Sequence, residues 1–165
     1  MKTKKLVINA LLLALGLVLH YITPPLGFMQ LDFSLVTLVL IITLNKDCFG
    51  TCLASGGAVG LFCGITTKFP MGLVPNIIDK TVTTVVVYLL IKLLDKTALS
   101  NKGKAIVVNA VGTLASGTVF LVTSLLLVGL PTPFGLLFVT VVLPAIVANT
   151  VIGFIVSGIF EKHWR

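Results

Sequence analysis

Long runs of apolar residues, interrupted at proline, glycine and clusters of charge, dominate this chain of 165 residues. Several runs approach or exceed the ~18–20 residues that a helix needs to cross a hydrocarbon layer ~30 Å thick. The runs are too continuous for the alternation of a β-barrel strand. The pattern predicts one all-α domain, an integral membrane bundle of six transmembrane helices over approximately 5–22, 31–45, 48–66, 75–94, 105–130 and 135–160.

Composition agrees with a membrane protein, since 57% of the residues are hydrophobic and only 10% are charged. The second span is the weakest of the six, because its apolar run from Phe33 to Leu44 is short. We expect that helix to be tilted or extended into the preceding loop.

The basic residues predict the orientation. An even number of spans puts both termini on one side, and that side collects ten basic residues, whereas the other side has only Lys68 and Lys80 lies within a span. The positive-inside rule then predicts cytoplasmic termini and a multi-pass protein of the plasma membrane. The net charge of +7 follows from this topology and does not indicate a nucleic-acid partner, because the basic residues are scattered over short loops and ends.

The predicted fourth span carries charge inside an otherwise apolar helix. Asn76, Asp79, Lys80 and Thr83 share one helical stripe. Ionisable groups at this depth are unfavourable and usually face a cavity or a partner. Asp79 and Lys80 are adjacent and therefore ~100° apart around the helix, so we expect each to find its partner on another helix or on a ligand. A purely structural role, locking the bundle, is the alternative.

Other polar and aromatic residues are predicted to reach the same level. His20 and Tyr21 end the first span, Phe69 precedes the fourth, and Asn149 lies deeper in the sixth. Together with the stripe of the fourth span they are the candidate substrate-binding residues. His20 facing water and Phe69 as an interfacial anchor are the alternatives.

Two loops on the predicted outer side resemble a lid in composition. The segments "TPPLGFMQ" and "KFPMGLVP" are rich in proline, glycine, phenylalanine and methionine, so they are suited to an apolar cover over a cavity. Asp32 follows the first of these segments and Lys68 begins the second, and both are candidate lid or cap residues. Asp32 is first expected to cap the second helix, in "Asp-Phe-Ser", and Lys68 to be a solvated loop charge.

Motifs for several reaction classes are absent. The chain has no G-x-x-x-x-G-K-[ST], no H-E-x-x-H and no G-x-S-x-G. Cys48 and Cys52 lie one helical turn apart, but no histidine or carboxylate joins them on that face, so no metal is expected. The sequence thus predicts a binding or transport subunit that is not an enzyme and has no cofactor.

The first span carries a stripe of small residues, Ala10 and Ala14. Rows of small residues let helix backbones approach closely in a membrane. From the pattern alone, packing inside the bundle and contact with a partner protein are equally favoured.

The chain resembles the substrate-binding S components of energy-coupling factor (ECF) transporters over nearly its whole length. The features that carry the resemblance are Ala10-x-x-x-Ala14, "LDFS" at Leu31–Ser34, and the size and topology. The segments "NALLLALGLVLHYITP" and "FPMGLVPNIIDK" are closest to the tryptophan-transporter group within that family.

The resemblance implies a subunit that binds tryptophan from the extracellular side. It also implies docking through Ala10 and Ala14 on a membrane coupling protein, which two cytoplasmic ATPases drive. An S component for another small solute, such as a vitamin or another aromatic compound, and a non-transporting membrane interaction subunit are the alternatives.

Overall fold

The computed structural model describes residues 2–26 and 29–163, and helices make up almost all of this part of the chain. The elements are α1 (Lys2–Ile22), α2 (Ser34–Leu44), α3 (Phe49–Thr66), α4 (Leu73–Leu94), α5 (Asn101–Leu127), α6 (Phe134–Leu137), a π-helical segment (Phe138–Val142) and α7 (Leu143–His163). The predicted all-helical class is confirmed. Each helix lies within a few residues of a predicted span.

A short hairpin between α1 and α2 is the only β structure among the described residues. Strand β1 (Pro25–Leu26) pairs antiparallel with β2 (Met29–Gln30), so that Pro25 faces Gln30. The hairpin lies in one of the two loops predicted as a lid. Residues 27 and 28 of that loop lie outside the described residues.

Four helical segments of the described chain are long and apolar enough to cross a membrane: Thr3–Ile22, Phe49–Thr66, Asn101–Leu127 and Phe134–Gly158. The chain is therefore a membrane protein by composition and helix length. α2 has only 11 residues, about 17 Å at ~1.5 Å per residue, which is too short to cross alone. α4 has 22 residues but is interrupted by charge. Six crossings and cytoplasmic termini remain predictions.

The surface of the bundle is apolar, and polar side chains are buried inside it. Leu6, Leu11, Leu126 and Val147 are all at least 65% exposed, as expected of side chains that contact lipid. Apolar residues of α2, α3, α4 and α5 form one core cluster. A second cluster surrounds Phe69 and Phe120.

Small residues allow α3 to lie directly against α4. A Cβ atom on Gly60 would lie 2.9 Å from the Cα of Ile77 and 3.0 Å from the carbonyl oxygen of Asn76. A Cβ on Gly64 would lie 2.9 Å from the Cα of Leu73. Lipid supplies no hydrophobic attraction between helices, so van der Waals contact between the two backbones holds α3 against α4. It also fixes the first turns of α4, which carry the charged residues.

A proline explains the irregular stretch in the last helix. Pro144 has no N–H to donate four residues back and its ring crowds that carbonyl. The chain winds as a π-helix over Phe138–Val142, immediately before α7. Such segments often lie at functional sites, and Val141 and Val142 from this one face the cavity described next.

Candidate functional site

Lys80 is a fully buried lysine at the centre of a polar cluster. Its side chain is 1% exposed. Its ammonium donates to one carboxylate oxygen of Asp79 and to the hydroxyl of Ser116 on α5, at 2.9 Å. It also lies 2.6 Å from Oδ2 of Asp32, which precedes α2. The ammonium of Lys80 thus joins α4, α5 and the segment before α2.

Both carboxylate oxygens of Asp79 accept hydrogen bonds from neighbouring side chains. Its Oδ1 accepts a hydrogen bond from the Thr83 hydroxyl at 2.9 Å. Its Oδ2 accepts one from Ser116 Oγ at 2.9 Å in addition to the Lys80 ammonium. Ser116 therefore accepts from Lys80 and donates to Asp79, and the three groups form a closed ring.

Asp79 and Lys80 pair with each other as well as with groups on other helices, although their adjacent positions predict that the pair is not ideal. The two side chains form an ion pair although they start ~100° apart on α4, because the long lysine side chain turns back toward its neighbour. The expected partners on other helices are also present, namely Asp32 and Ser116.

Asp32 both caps α2 and contacts the cluster. The N-cap position of α2 is Phe33, which makes no side-chain cap. Asp32, one residue earlier, accepts a hydrogen bond from the backbone N–H of Ser34 at 3.1 Å and another from the Ser34 hydroxyl, both through Oδ1. Asp32 therefore lies one residue before the N-cap position predicted for it, although one of its oxygens still accepts from the first turn of α2 and the other faces Lys80.

Asn149 joins α7 to this cluster. It is completely buried. Its amide nitrogen donates to the backbone carbonyl of Asp32 at 3.0 Å and to Oγ1 of Thr113 at 3.2 Å. The sequence prediction placed Asn149 deeper than the other polar groups, and it lies beside Asp32.

A cavity of about 60 Å³ adjoins these side chains. Its polar wall is formed by Asp32, Asp79, Lys80 and Asn149, and its apolar wall includes Phe69 and Phe120. The two phenylalanine rings pack edge to face, with centroids 5.4 Å apart. The cavity is well below the ~300 Å³ of a typical small-molecule site, so any substrate of that size must displace some of the wall.

The hairpin and the α3–α4 loop close one end of the cavity. Met29, Gln30 and Phe69 line it and are all at least 91% buried. The Gln30 amide donates to the backbone carbonyl of His20 at 2.6 Å and accepts from the backbone N–H of Lys68 at 3.3 Å. His20 itself is 3% exposed and its Nδ1 lies 2.8 Å from the Thr66 hydroxyl. These bonds join the end of α1, the hairpin and the loop.

Most of the predicted substrate-binding residues line this cavity, and Tyr21 is the exception. His20, Phe69, Asn76, Asp79, Lys80 and Asn149 all do so. Tyr21 is 64% exposed and its ring lies under the Lys68 ammonium, 5.1 Å away. Because α1 turns about 100° per residue, the burial of His20 directs Tyr21 outward. Tyr21 therefore does not line this cavity.

The side chain of Lys68 is exposed and contacts only neighbouring backbone and Tyr21 among the described residues. Its ammonium donates to the carbonyl of Tyr21 at 3.2 Å. Ala10 and Ala14 lie on the exposed face of α1. They are available at the surface and are not packed inside the bundle.

Several residues of the site were missed as site residues by the sequence analysis. Thr113 and Ser116, on the cluster-facing side of α5, have the small size that also suits helix packing. Gln30 had no distinguishing neighbour in the sequence. The sequence signal that could have identified Thr113 and Ser116 is their three-residue spacing, which puts both hydroxyl groups on one side of α5.

One trio could in principle hold a metal ion. The ligand atoms of His20, Asp32 and Cys63 all lie within 4.8 Å of one another. Two of these side chains already have partners within the protein, since His20 Nδ1 lies 2.8 Å from the Thr66 hydroxyl and Cys63 Sγ lies 3.0 Å from the Ser34 hydroxyl.

A larger cavity, of about 300 Å³, lies near the opposite end of α4. Most of its wall is apolar, and its charged residues are Lys46, Asp95 and Lys104. These three are joined by ion pairs of 2.6 and 3.7 Å and are partly exposed. None of the predicted substrate-binding residues contacts this cavity, so size alone does not identify the site.

Comparisons with known proteins agree on one family. A family model described as "Tryptophan transporter TrpP" matches residues 2–165. Proteins called "Probable tryptophan transport protein" are 46% identical in Clostridium acetobutylicum, 45% in Clostridium perfringens and 43% in Bacillus subtilis. The alignments cover at least 99% of this chain and at least 94% of each relative. No solved structure matches the chain.

Proposed function

This chain belongs to the tryptophan transporter family TrpP, and from that premise we propose that it captures tryptophan in the cavity around Lys80. The family predicted from "FPMGLVPNIIDK" is thereby confirmed. Capture takes place from the extracellular side of the plasma membrane. The chain is a substrate-binding subunit and catalyses no reaction of its own.

The single observation that carries the proposal is a fully buried lysine and two carboxylates lining one cavity in an apolar bundle. Charged groups inside a membrane protein are unfavourable unless they are paired, and they commonly mark a substrate pathway. A zwitterion leaving water needs an opposite charge or hydrogen bonds at each end. The Lys80 ammonium supplies a partner for the substrate carboxylate.

The apolar half of the cavity suits an aromatic side chain. Phe69 and Phe120 already form an edge-to-face pair there, and aromatic rings favour such contacts by ~0.5–1.5 kcal/mol beyond area burial. Indole is larger than the present cavity of about 60 Å³. Entry therefore requires Phe69 or Met29, which come from the two loops, to move aside.

The proposal includes a lid. The segments around the hairpin and around Phe69 open to admit tryptophan and close over it. The lid is supported by the position of Met29, Gln30 and Phe69, which belong to these two segments and line the cavity. Closure excludes water and strengthens every polar contact inside.

Saturating tryptophan should slow amide hydrogen exchange in the segments 23–30 and 68–74, because bound substrate holds both loops in place. Mass-spectrometric exchange on the purified protein, with and without tryptophan, measures this. A peptide from the middle of α5 is the internal reference and should not change. Equal exchange in both loops, with occupancy confirmed by titration, would contradict the lid.

We place the chain within an ECF-type importer, with a membrane coupling protein and two cytoplasmic ATPases as partners. Two observations support this. The chain has no G-x-x-x-x-G-K-[ST] motif for binding ATP, and Ala10 and Ala14 form an exposed stripe on α1. A stripe of small residues on the outside of a bundle lets a partner helix approach closely.

Uptake of labelled tryptophan by cells that carry this chain and its partners tests the transport function and the docking surface together. The wild type should give saturable uptake that excess unlabelled tryptophan suppresses. Ala14→Trp should abolish uptake and leave tryptophan binding to the purified chain unchanged, because the substitution blocks helix contact far from the cavity.

The matched control is Val147→Trp on α7, another exposed apolar position, which should retain uptake. Loss of binding together with uptake in Ala14→Trp would show that the stripe packs within the bundle. If the wild-type chain binds tryptophan but cells with all partners show no uptake, the chain is a binding protein and not part of an importer.

A further inference from the structure

Two buried oxygen atoms on the polar wall of the cavity can accept from a further donor. Oδ1 of Asn149 has no hydrogen-bond donor among the described residues. Oδ2 of Asp32 has the Lys80 ammonium 2.6 Å away as its ion-pair partner and no other donor among those residues. A buried acceptor without a donor is unfavourable, so Asn149 Oδ1 indicates a missing donor.

The orientation of the Asn149 amide is fixed by its neighbours. Its nitrogen faces the Asp32 backbone carbonyl, which can only accept. The same nitrogen faces Thr113 Oγ1, whose own proton is donated to the carbonyl of Asn109 at 2.7 Å. Turning the amide over would put an oxygen against two acceptors. Asn149 must therefore present its free oxygen as an acceptor.

Asp79 is not available to a ligand in the same way. Its two oxygens already accept from Thr83, Ser116 and Lys80. It serves as the resident counterion of Lys80. Of the two carboxylates beside that lysine, only Asp32 has an oxygen whose sole polar partner among the described residues is Lys80.

The charged groups around the cavity are unequal in number. Two carboxyl groups, those of Asp32 and Asp79, lie beside one ammonium, that of Lys80. A carboxylate without a cation of its own attracts a cationic ligand group. Asp79 is already held by Lys80, Ser116 and Thr83, so Asp32 is the carboxyl group left for a ligand cation.

We propose that Asp32 and Asn149 form a subsite for the primary ammonium of an α-amino acid. The inference rests on the proposed function and assigns its amino end. An ammonium has three N–H donors and one positive charge, so it can donate to the free oxygen of Asn149 and pair with the carboxylate of Asp32. When it binds, Lys80 leaves Asp32, keeps Asp79 and Ser116, and directs its third N–H to the substrate carboxylate.

The proposal predicts which end of the substrate matters more. Indole-3-propionate lacks the ammonium and brings a further negative charge toward Asp32. Tryptamine lacks the carboxylate but keeps the ammonium. Wild type should therefore bind tryptophan best, tryptamine more weakly, and indole-3-propionate at least about 30-fold more weakly than tryptophan, as expected for loss of a buried charge partner.

The test is calorimetric titration of the full-length chain with these three compounds, in the wild type and in Asp32→Asn. Asparagine keeps the shape and an oxygen that can cap Ser34, but removes the charge. Tryptophan affinity should fall at least about 30-fold, while indole-3-propionate should bind as well as in the wild type or better. Asp95→Asn is the matched control, since this carboxylate lies near the opposite end of α4, and it should change nothing.

Tryptophan binding to Asp32→Asn within threefold of the wild type would overturn the ammonium subsite and leave the proposed function intact. The ligand order in the wild type gives a second test that needs no variant to fold. Indole-3-propionate binding as tightly as tryptamine would overturn the inference. Absence of tryptophan binding by the wild type would overturn the proposed function and the subsite together.

Discussion

Lys80→Met is expected to abolish measurable tryptophan binding. Methionine fills much of the lysine volume but cannot pair with the substrate carboxylate. Removal of one partner from a desolvated charge pair weakens binding by ~2–5 kcal/mol, or about 30-fold to several thousandfold in affinity. Lys80 is the largest of the fully buried side chains in the described part of the chain. Isothermal titration of the purified variant with tryptophan measures the effect.

The single variant also leaves Asp32 and Asp79 as buried carboxylates without a cation, and breaking a buried pair in this way is destabilising by ~3–5 kcal/mol. The double variant Lys80→Met with Asp79→Asn removes one of these charges and separates binding from stability. It should fold and still fail to bind tryptophan. Lys68→Met, at an exposed loop lysine, is the control and should bind normally.

Tryptophan affinity in a folded Lys80→Met protein equal to that of the wild type would mean that the buried ion pair only stabilises the bundle. The site would then have to be sought elsewhere. The larger cavity near the other end of α4, about 300 Å³ in volume, would be the next candidate.

Gly60→Leu is expected to cause the second large loss, by separating α3 from α4. Even the first added carbon would lie 2.9 Å from the Cα of Ile77 and 3.2 Å from the Cβ of Lys80. The contacts include backbone, which cannot move aside as a flexible side chain can. Forcing extra volume into a packed interface is destabilising by ~1–3 kcal/mol or more, and here it also shifts the turn that carries Asn76 and Lys80.

The thermal unfolding temperature of the detergent-solubilised variant should therefore fall, and tryptophan binding should be lost with it. Gly57→Leu is a matched control on the same helix, because an added Cβ at Gly57 has no atom within 4 Å. A Gly60→Leu protein that unfolds and binds like Gly57→Leu would show that the close packing of α3 on α4 does not support the site.

The sequence pattern was sufficient for the helices because lipid forces the backbone to satisfy its own hydrogen bonds. Apolar runs broken by proline, glycine and charge predicted the helices that the structure contains. The hairpin at Pro25–Gln30 was not predicted. Its strands have two residues each, too few for a period-two pattern to be recognised.

The centre of the site was predictable because a charge within an apolar helix is conspicuous. Asp79 and Lys80 needed no other information to be singled out. Their partners were harder to predict, since Ser116 and Thr113 are also ordinary packing residues in membrane helices. The double role of Asp32 depends on tertiary structure, because the start of α2 must lie beside α4 for its second oxygen to reach Lys80.

The positions of Tyr21 and His20 also depend on tertiary structure that the sequence does not show. Both stand at the end of α1, and composition does not show which of two adjacent side chains faces the bundle. The rotation of α1 decides this, and it buries His20 against Thr66 and Gln30 while Tyr21 stays exposed.

The central claim is that the isolated chain is a selective tryptophan-binding protein. Its most direct test is calorimetric titration of the purified wild-type chain, without partners or nucleotide, against each of the twenty amino acids and common vitamins. The account predicts saturable binding of tryptophan at one site per chain, with at least tenfold weaker binding of every other compound. Saturable binding of another solute in place of tryptophan, or no binding of any compound by a folded protein, would contradict it.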